Sequence, residues 1–235
     1  MTARLSGYCH KHFLIGRVLT SRVLTSCALI SAACALAFGA LAPSPVLAQA
    51  LPSFDCAKSQ TAVEKLICGN AVLATLDRET ARLFDLAKNS GSETQRGELI
   101  AAQRQWIGKR NDCASSTDKL RCVSEAFVQR ISVLREQYPA ARKPDGASIS
   151  IGPFTASCEN SGEPVTVTFV NSDPAFAYME WPSNFVVLKQ AMSGSGALYE
   201  AQYPKGQSRL WNKGNNAAIA FPGGKDMNCT LKPMT

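Results

Sequence analysis

The sequence predicts a two-domain protein of the α plus β class: a small disulfide-stapled helical domain followed by a small antiparallel β-barrel of about eight strands. Three observations carry this reading. Between Asp55 and Tyr138 the chain contains no proline, and its apolar residues recur at helical intervals. Beyond Pro139 the pattern changes to short alternating runs rich in β-branched and aromatic residues, punctuated by glycine and proline. Cys56, Cys68, Cys113, Cys122, Cys158 and Cys229 fall within these stretches, and an even number of cysteines in a small exported chain reads as a disulfide framework.

The N-terminus sets the compartment. Residues 1–50 carry Arg4, Lys11, Arg17 and Arg22 and no acid, then an apolar run from Val23 to about Leu41, then Pro43, Pro45 and Val46-Leu-Ala-Gln-Ala50. This is the layout of a cleavable secretory signal peptide, with cleavage expected near Ala50 and a periplasmic destination. Two rivals are weaker. An uncleaved anchor would need the apolar run to continue where the prolines break it, so no stable membrane insertion is expected after cleavage. Leu24-Thr-Ser-Cys27 has the form of a lipid-attachment box but stands at the start of the apolar run, not at its end.

The helical domain is expected over residues 51–138. A short first helix ends at Leu66 and Ile67 before Gly69, and Asn70 can cap a second whose Val72, Leu73, Leu76, Leu83 and Phe84 share a face. Ser92-Glu-Thr-Gln95 has the form of a capping box and opens a third helix with Leu99, Ile100, Trp106 and Ile107, which stops near Asn111. A fourth begins around Ser116 or Thr117 and runs to Tyr138 with Leu120, Val123, Phe127, Ile131 and Leu134 at helical spacing. Four cysteines allow three pairings. Short local loops favour Cys56 with Cys68 and Cys113 with Cys122.

Residues 139–147, Pro-Ala-Ala-Arg-Lys-Pro-Asp-Gly followed by alanine, read as a linker. Residues 148–235 form the second domain. Its strand candidates are 154–159, 165–170, 175–181, 185–189, 197–203, 208–211, 216–221 and 227–231, evenly spaced as in a small barrel or sandwich. A Cys158–Cys229 bridge would tie the first strand to the last, and closing a loop of about 70 residues contributes about 4 kcal/mol in the chain-entropy treatment.

Charge and chemistry exclude several function classes. Residues 1–50 hold four of the 25 basic and none of the 18 acidic side chains, so the net charge falls from +7 to +3 once they are removed. No basic cluster with interleaved aromatics remains, so no nucleic-acid partner is expected. His10 and His12 both lie in the leader, which leaves no histidine for a triad, a general base or a metal site. There is also no Cys-x-x-Cys pair, and neither a metal nor any other cofactor is expected. What stands out is Ser193-Gly-Ser-Gly-Ala-Leu-Tyr199 with Trp211-Asn-Lys-Gly214. Gly194 and Gly196 free the backbone for close approach, and small serines between them offer donors and acceptors from a rigid β platform. Ser195 and Lys213 would make a catalytic dyad on paper, but no strand-turn-helix nucleophile elbow surrounds the serine, so the loops point to binding and not to an enzyme.

Two resemblances sharpen this. Cys158-Glu-Asn160, Val165-Thr-Val-Thr-Phe169, Ser193–Tyr199, Trp211–Gly214 and Cys229 together resemble the membrane-bound and periplasmic inhibitors of C-type lysozyme, the MliC/PliC family, over nearly all of residues 151–235. In that family the two loops enter the lysozyme active-site cleft. The resemblance implies C-type lysozyme as a protein partner, Ser193, Ser195, Tyr199 and Lys213 as contacts, and Gly194, Gly196, Trp211 and Gly214 in support. It departs at Leu198, where the family often has a basic residue. Phe54-Asp-Cys-Ala-Lys58, Thr61, Glu64, Ile67-Cys68, Leu76-Asp77, Gln103-Arg-Gln-Trp-Ile107, Arg110-Asn-Asp-Cys113, Cys122 and Arg130-Ile131 resemble the LprI-type domain, whose name also comes from lysozyme inhibition. Of these, Ile67 and Trp106 are expected in the core, since bulky residues at helical spacing face inward. The alternative function is a non-inhibitory cell-envelope binding protein acting through the helical domain.

Overall fold

Each helix begins where a side chain can satisfy the free amides of its first turn. A computed structural model describes residues 51–159, 164–182 and 184–234; the expected leader and its cleavage site lie outside the described residues. After a 3-10 turn, Cys56–Lys58, Thr61 caps α1 (Ala62–Cys68) in a reciprocal capping box with Glu64. Asn70 caps α2 (Ala71–Ser90), and Ser92 with Gln95 forms the expected capping box of α3 (Glu93–Asn111). α4 (Lys119–Gln137) starts two to three residues later than the sequence suggests. A 3-10 turn, Asp112–Ser115, takes up the chain after α3, Ser116 accepts from the Asp118 amide, and Asp118 rather than Ser116 or Thr117 caps the helix.

The helical core is built mainly from α2 and α4. Leu73, Leu76 and Leu83 meet Val123, Phe127, Ile131 and Leu134, all fully buried, with Ile67 of α1 beside them. α3 lies at the edge and gives this core only Leu99 as a fully buried apolar residue. Ile107 and Leu120, expected on buried faces, are instead 37% and 44% exposed, because no described element covers the outer flank of α3 or the first turn of α4. Disulfide Cys56–Cys68 ties the end of α1 to the first 3-10 turn, and Cys113–Cys122 ties the α3–α4 connection to the first turn of α4.

Eight strands follow: β1 (Ser150–Cys158), β2 (Val165–Val170), β3 (Phe176–Trp181), β4 (Asn184–Ala191), β5 (Ala197–Tyr203), β6 (Gly206–Lys213), β7 (Asn216–Ala220) and β8 (Met227–Pro233). Each pairs antiparallel with the next, and β1 closes on β8 to complete a barrel. Cys158 stands opposite Cys229 in that seam, and the two are bridged. Alternation sends Val167, Phe169, Ala177, Met179, Val186, Leu188, Tyr199, Leu210, Ile219 and Leu231 inward.

β2, β3 and β4 are buried on their outer faces as well. Val170, Phe176, Tyr178 and Val187 belong to the core that contains α4, and the hydroxyls of Ser132 and Thr168 meet at 2.9 Å. Arg135 of α4 donates from Nε to the Gly152 carbonyl at 2.8 Å and from Nη1 to the Ala141 carbonyl and the Ser150 hydroxyl. Glu79 of α2 accepts from the hydroxyls of Ser148 and Ser150 and is held by Arg82. Between the helices and β1, Pro139–Arg142 forms a 3-10 turn with Ala141 fully buried, and Asp145 pairs with Arg82. Among the described residues no helix is long and apolar enough to cross a membrane.

Candidate functional site

In an up-and-down barrel alternate connections share an end. The β4–β5 loop and the β6–β7 turn therefore emerge together, and the register confirms it: Ala197 pairs with Asn212 and Leu198 with Trp211, so Gly196 and Lys213 leave the ladder side by side. Period-two alternation sends Leu210 and Asn212 inward and puts Trp211 and Lys213 on the outer face of β6.

Trp211 joins the two connections. Its Nε1 donates to the Ser195 carbonyl at 2.8 Å, and the Ser193 hydroxyl donates to the same oxygen at 2.7 Å. Gly196, at φ 68°, lies so close beneath the indole that a Cβ there would stand 2.6 Å from the Asn212 carbonyl oxygen and 3.0 Å from the Trp211 ring. Only glycine fits. Gly214, at φ 60°, makes the β6–β7 turn, whereas Gly194 faces open space. The indole thus sits on the rim and not in the barrel core, and Ser195 and Lys213 are left exposed, with no ion pair to Lys213 among the described residues.

Tyr199 is placed differently from its companions. It is 4% exposed, with its ring 5.6 Å from that of Phe169 inside the barrel, because the alternation that turns Leu198 outward turns Tyr199 inward. Burial pushes its hydroxyl pKa up. The ring lines a cavity of about 300 Å³ at this end of the barrel, between β5, β6 and the β6–β7 turn on one side and β1, β2 and β8 on the other, and the buried Oδ1 of Asn212 has no hydrogen-bond partner among the described residues. Two residues at this end escaped the sequence reading. Met192, which opens the β4–β5 loop, is 98% exposed; its sequence clue was an apolar residue wedged between a strand end and a glycine-rich loop. Asn212 was legible from alternation alone, two residues past the inward Leu210.

An exposed hydroxyl and an ammonium on a braced pair of loops can meet anionic and hydrogen-bonding groups of a cleft. Comparisons with known proteins agree with the two parts of the fold. Residues 157–228 match the family described as membrane-bound lysozyme-inhibitor of c-type lysozyme. Over 170 residues the chain is 33% identical to the lipoprotein LprI of Mycobacterium bovis and of Mycobacterium tuberculosis, an alignment that covers 72% of this chain and 80% of the relative. The chain belongs to the LprI family. It combines an LprI-type helical part with an MliC-type barrel. No solved structure matches it.

The LprI-type motif residues are largely internal struts. Thr61 and Glu64 form the α1 capping box, Ile67 is fully buried, and Asp77 accepts from the amide and hydroxyl of Ser53. Half-buried Trp106 donates to the Ala126 carbonyl and lies tilted on Phe127, while the Arg110 guanidinium lies 5.3 Å from the Trp106 ring centre and 5.6 Å from that of Phe127. Gln103 accepts from Arg130.

Proposed function

We propose that this LprI-family protein inhibits C-type lysozyme by inserting its β4–β5 loop and β6–β7 turn into the active-site cleft. The observation that carries the reading is the Trp211–Ser195 hydrogen bond, which braces both loops before any partner arrives, so that little ordering cost remains on binding. Lysozyme cleaves glycans with two carboxyl groups, one protonated and one ionised. The Ser195 hydroxyl donates to one and accepts from the other, and the Lys213 ammonium lies against the ionised member in a charge-assisted contact. Ser193 buttresses Ser195, Met192 covers the rim, and Tyr199 supports the loops from within the barrel. The loops offer no glycosidic bond, so the cleft is filled without turnover.

The location proposed is the cell envelope, reached through the leader and cleavage near Ala50 into the periplasm. The relatives are named as lipoproteins and the matched family as a membrane-bound inhibitor, both consistent with an exported site of action. Titrating C-type lysozyme with the exported protein tests the proposal. Saturable loss of glycan hydrolysis is expected; a folded, disulfide-bonded protein that leaves hydrolysis untouched at high molar excess would overturn it.

A further inference from the structure

The cleft between α3 and α4 holds a charge without a counter-ion. Arg130 of α4 is 7% exposed, its Nε donates to Gln103 Oε1 at 2.9 Å, and its Nη2 is buried with no partner among the described residues. Burial pushes its pKa down, opposed only by the Tyr138 phenol, and no carboxylate of the described chain pairs with it. The other two buried arginines among the described residues are answered. Arg110 lies over two aromatic rings and feels Asp77 and Glu64, and Arg135 makes three hydrogen bonds and feels Glu79. An unpaired buried guanidinium is unfavourable, and an incoming anion removes the deficit.

Arg130 lines a cavity of about 230 Å³ together with the exposed Lys109, Gln105, Gln129, Trp106 and Val133. These residues lie within α3 and α4 and not at a helix start, so free backbone amides of the kind that cradle phosphate are lacking there. One planar guanidinium, one ammonium and an apolar wall suit a carboxylate attached to a small carbon body.

We infer that the α3–α4 cleft is a carboxylate-binding site, in which the anion pairs with Arg130 and Lys109 and its body lies against Trp106 and Val133. The site is separate from the barrel loops and does not depend on lysozyme inhibition. A free or chain-terminal carboxylate and an acidic side chain share this chemistry, and the test separates them. The exported protein is titrated at constant ionic strength with N-acetylalanine, the α-amide of N-acetylglutamate, N-acetylalaninamide and inorganic phosphate. The readouts are thermal unfolding and the NMR signal of the Arg130 Nε–H. A rise in unfolding temperature and a saturable shift of that signal with either carboxylate support the inference, and the better ligand names the source. Arg130→Met, which removes the reporting Nε–H, abolishes the rise in unfolding temperature, and Lys109→Ala, at an exposed position, weakens binding about two- to fivefold, the size of one exposed ion pair. A response shared by the uncharged amide, a stronger response to phosphate, or a response that survives Arg130→Met overturns the inference. If Arg130→Met does not fold, unchanged affinity in Lys109→Ala overturns it.

Discussion

Ser195 and Lys213 would work on one cluster of charge in the target, and this fixes how their substitutions combine. Ser195→Ala leaves a desolvated carboxyl of lysozyme without its partner and is expected to cost about 1 to 3 kcal/mol of binding, about 5- to 150-fold in affinity. Lys213→Ala is expected to cost as much or more, since an ionised group is stranded. The double mutant should depart from additivity by more than about 0.5 kcal/mol. Inhibition constants for the wild type, both single variants and the double check this; two folded single variants that inhibit like wild type exclude loop insertion. Inhibition is also expected to fall at pH low enough to protonate the ionised carboxylate of lysozyme. Trp211→Phe isolates the brace, because it keeps a ring above Gly196 but removes the donor to the Ser195 carbonyl. Loss of one such hydrogen bond is expected to weaken inhibition about two- to tenfold, with an unchanged unfolding midpoint setting this apart from damage to the fold.

At the scale of elements, α4 packs both on α2 and on the outer face of the barrel, and its polar residues bear the consequences. Glu136, near Glu180 of β3, has its pKa raised by burial and then by the charge of Glu180. A carboxyl raised in the folded state favours folding below its unfolded pKa, and that contribution is lost as pH rises through the folded pKa. Glu136→Gln is therefore expected to raise the thermal midpoint at neutral pH, and the gain should shrink as pH falls into the ordinary carboxylate range. Glu64 has the opposite sign: the Thr61 and Gln60 amides lower its pKa, so its support for the α1 cap is present at neutral pH and lost in acid. Unfolding midpoints for wild type and Glu136→Gln across acid and neutral pH decide the matter, and a gain that persists unchanged in acid would sink it. The Ser92–Gln95 box and the Asn70 cap were readable because capping is a local contest for amides. The α4 start was misread because Ser116, Thr117 and Asp118 are all plausible caps, and the 3-10 turn that selects Asp118 depends on how α3 ends.

For the whole molecule, the barrel has its own core and its own Cys158–Cys229 bridge, yet α4 covers Val170, Phe176, Tyr178 and Val187 on its outer face. Residues 147–235 alone are expected to fold and to inhibit lysozyme, with a lower unfolding midpoint than the full protein and a tendency to self-associate through the bared face. Thermal unfolding, sedimentation and lysozyme titration of that fragment beside the helical part check this; inhibition confined to the helical part would refute the assignment of the loops. The sequence by itself determined the class and the eight strands, because periodicity and turn residues are local properties of the chain; for the four helical-domain cysteines it favoured the two short loops that the structure shows without excluding the other pairings. It also exposed the two loops as the feature to watch, since glycine between serines needs no tertiary context to stand out. Tertiary structure alone decided that Tyr199 faces the barrel interior and that Trp211 grips Ser195 from the rim, because pleat direction emerges only when β5 and β6 lock into register. It alone decided that Arg130 is buried without a counter-ion among the described residues. Which charges end up buried together depends on residues distant in the chain, and no local pattern records that.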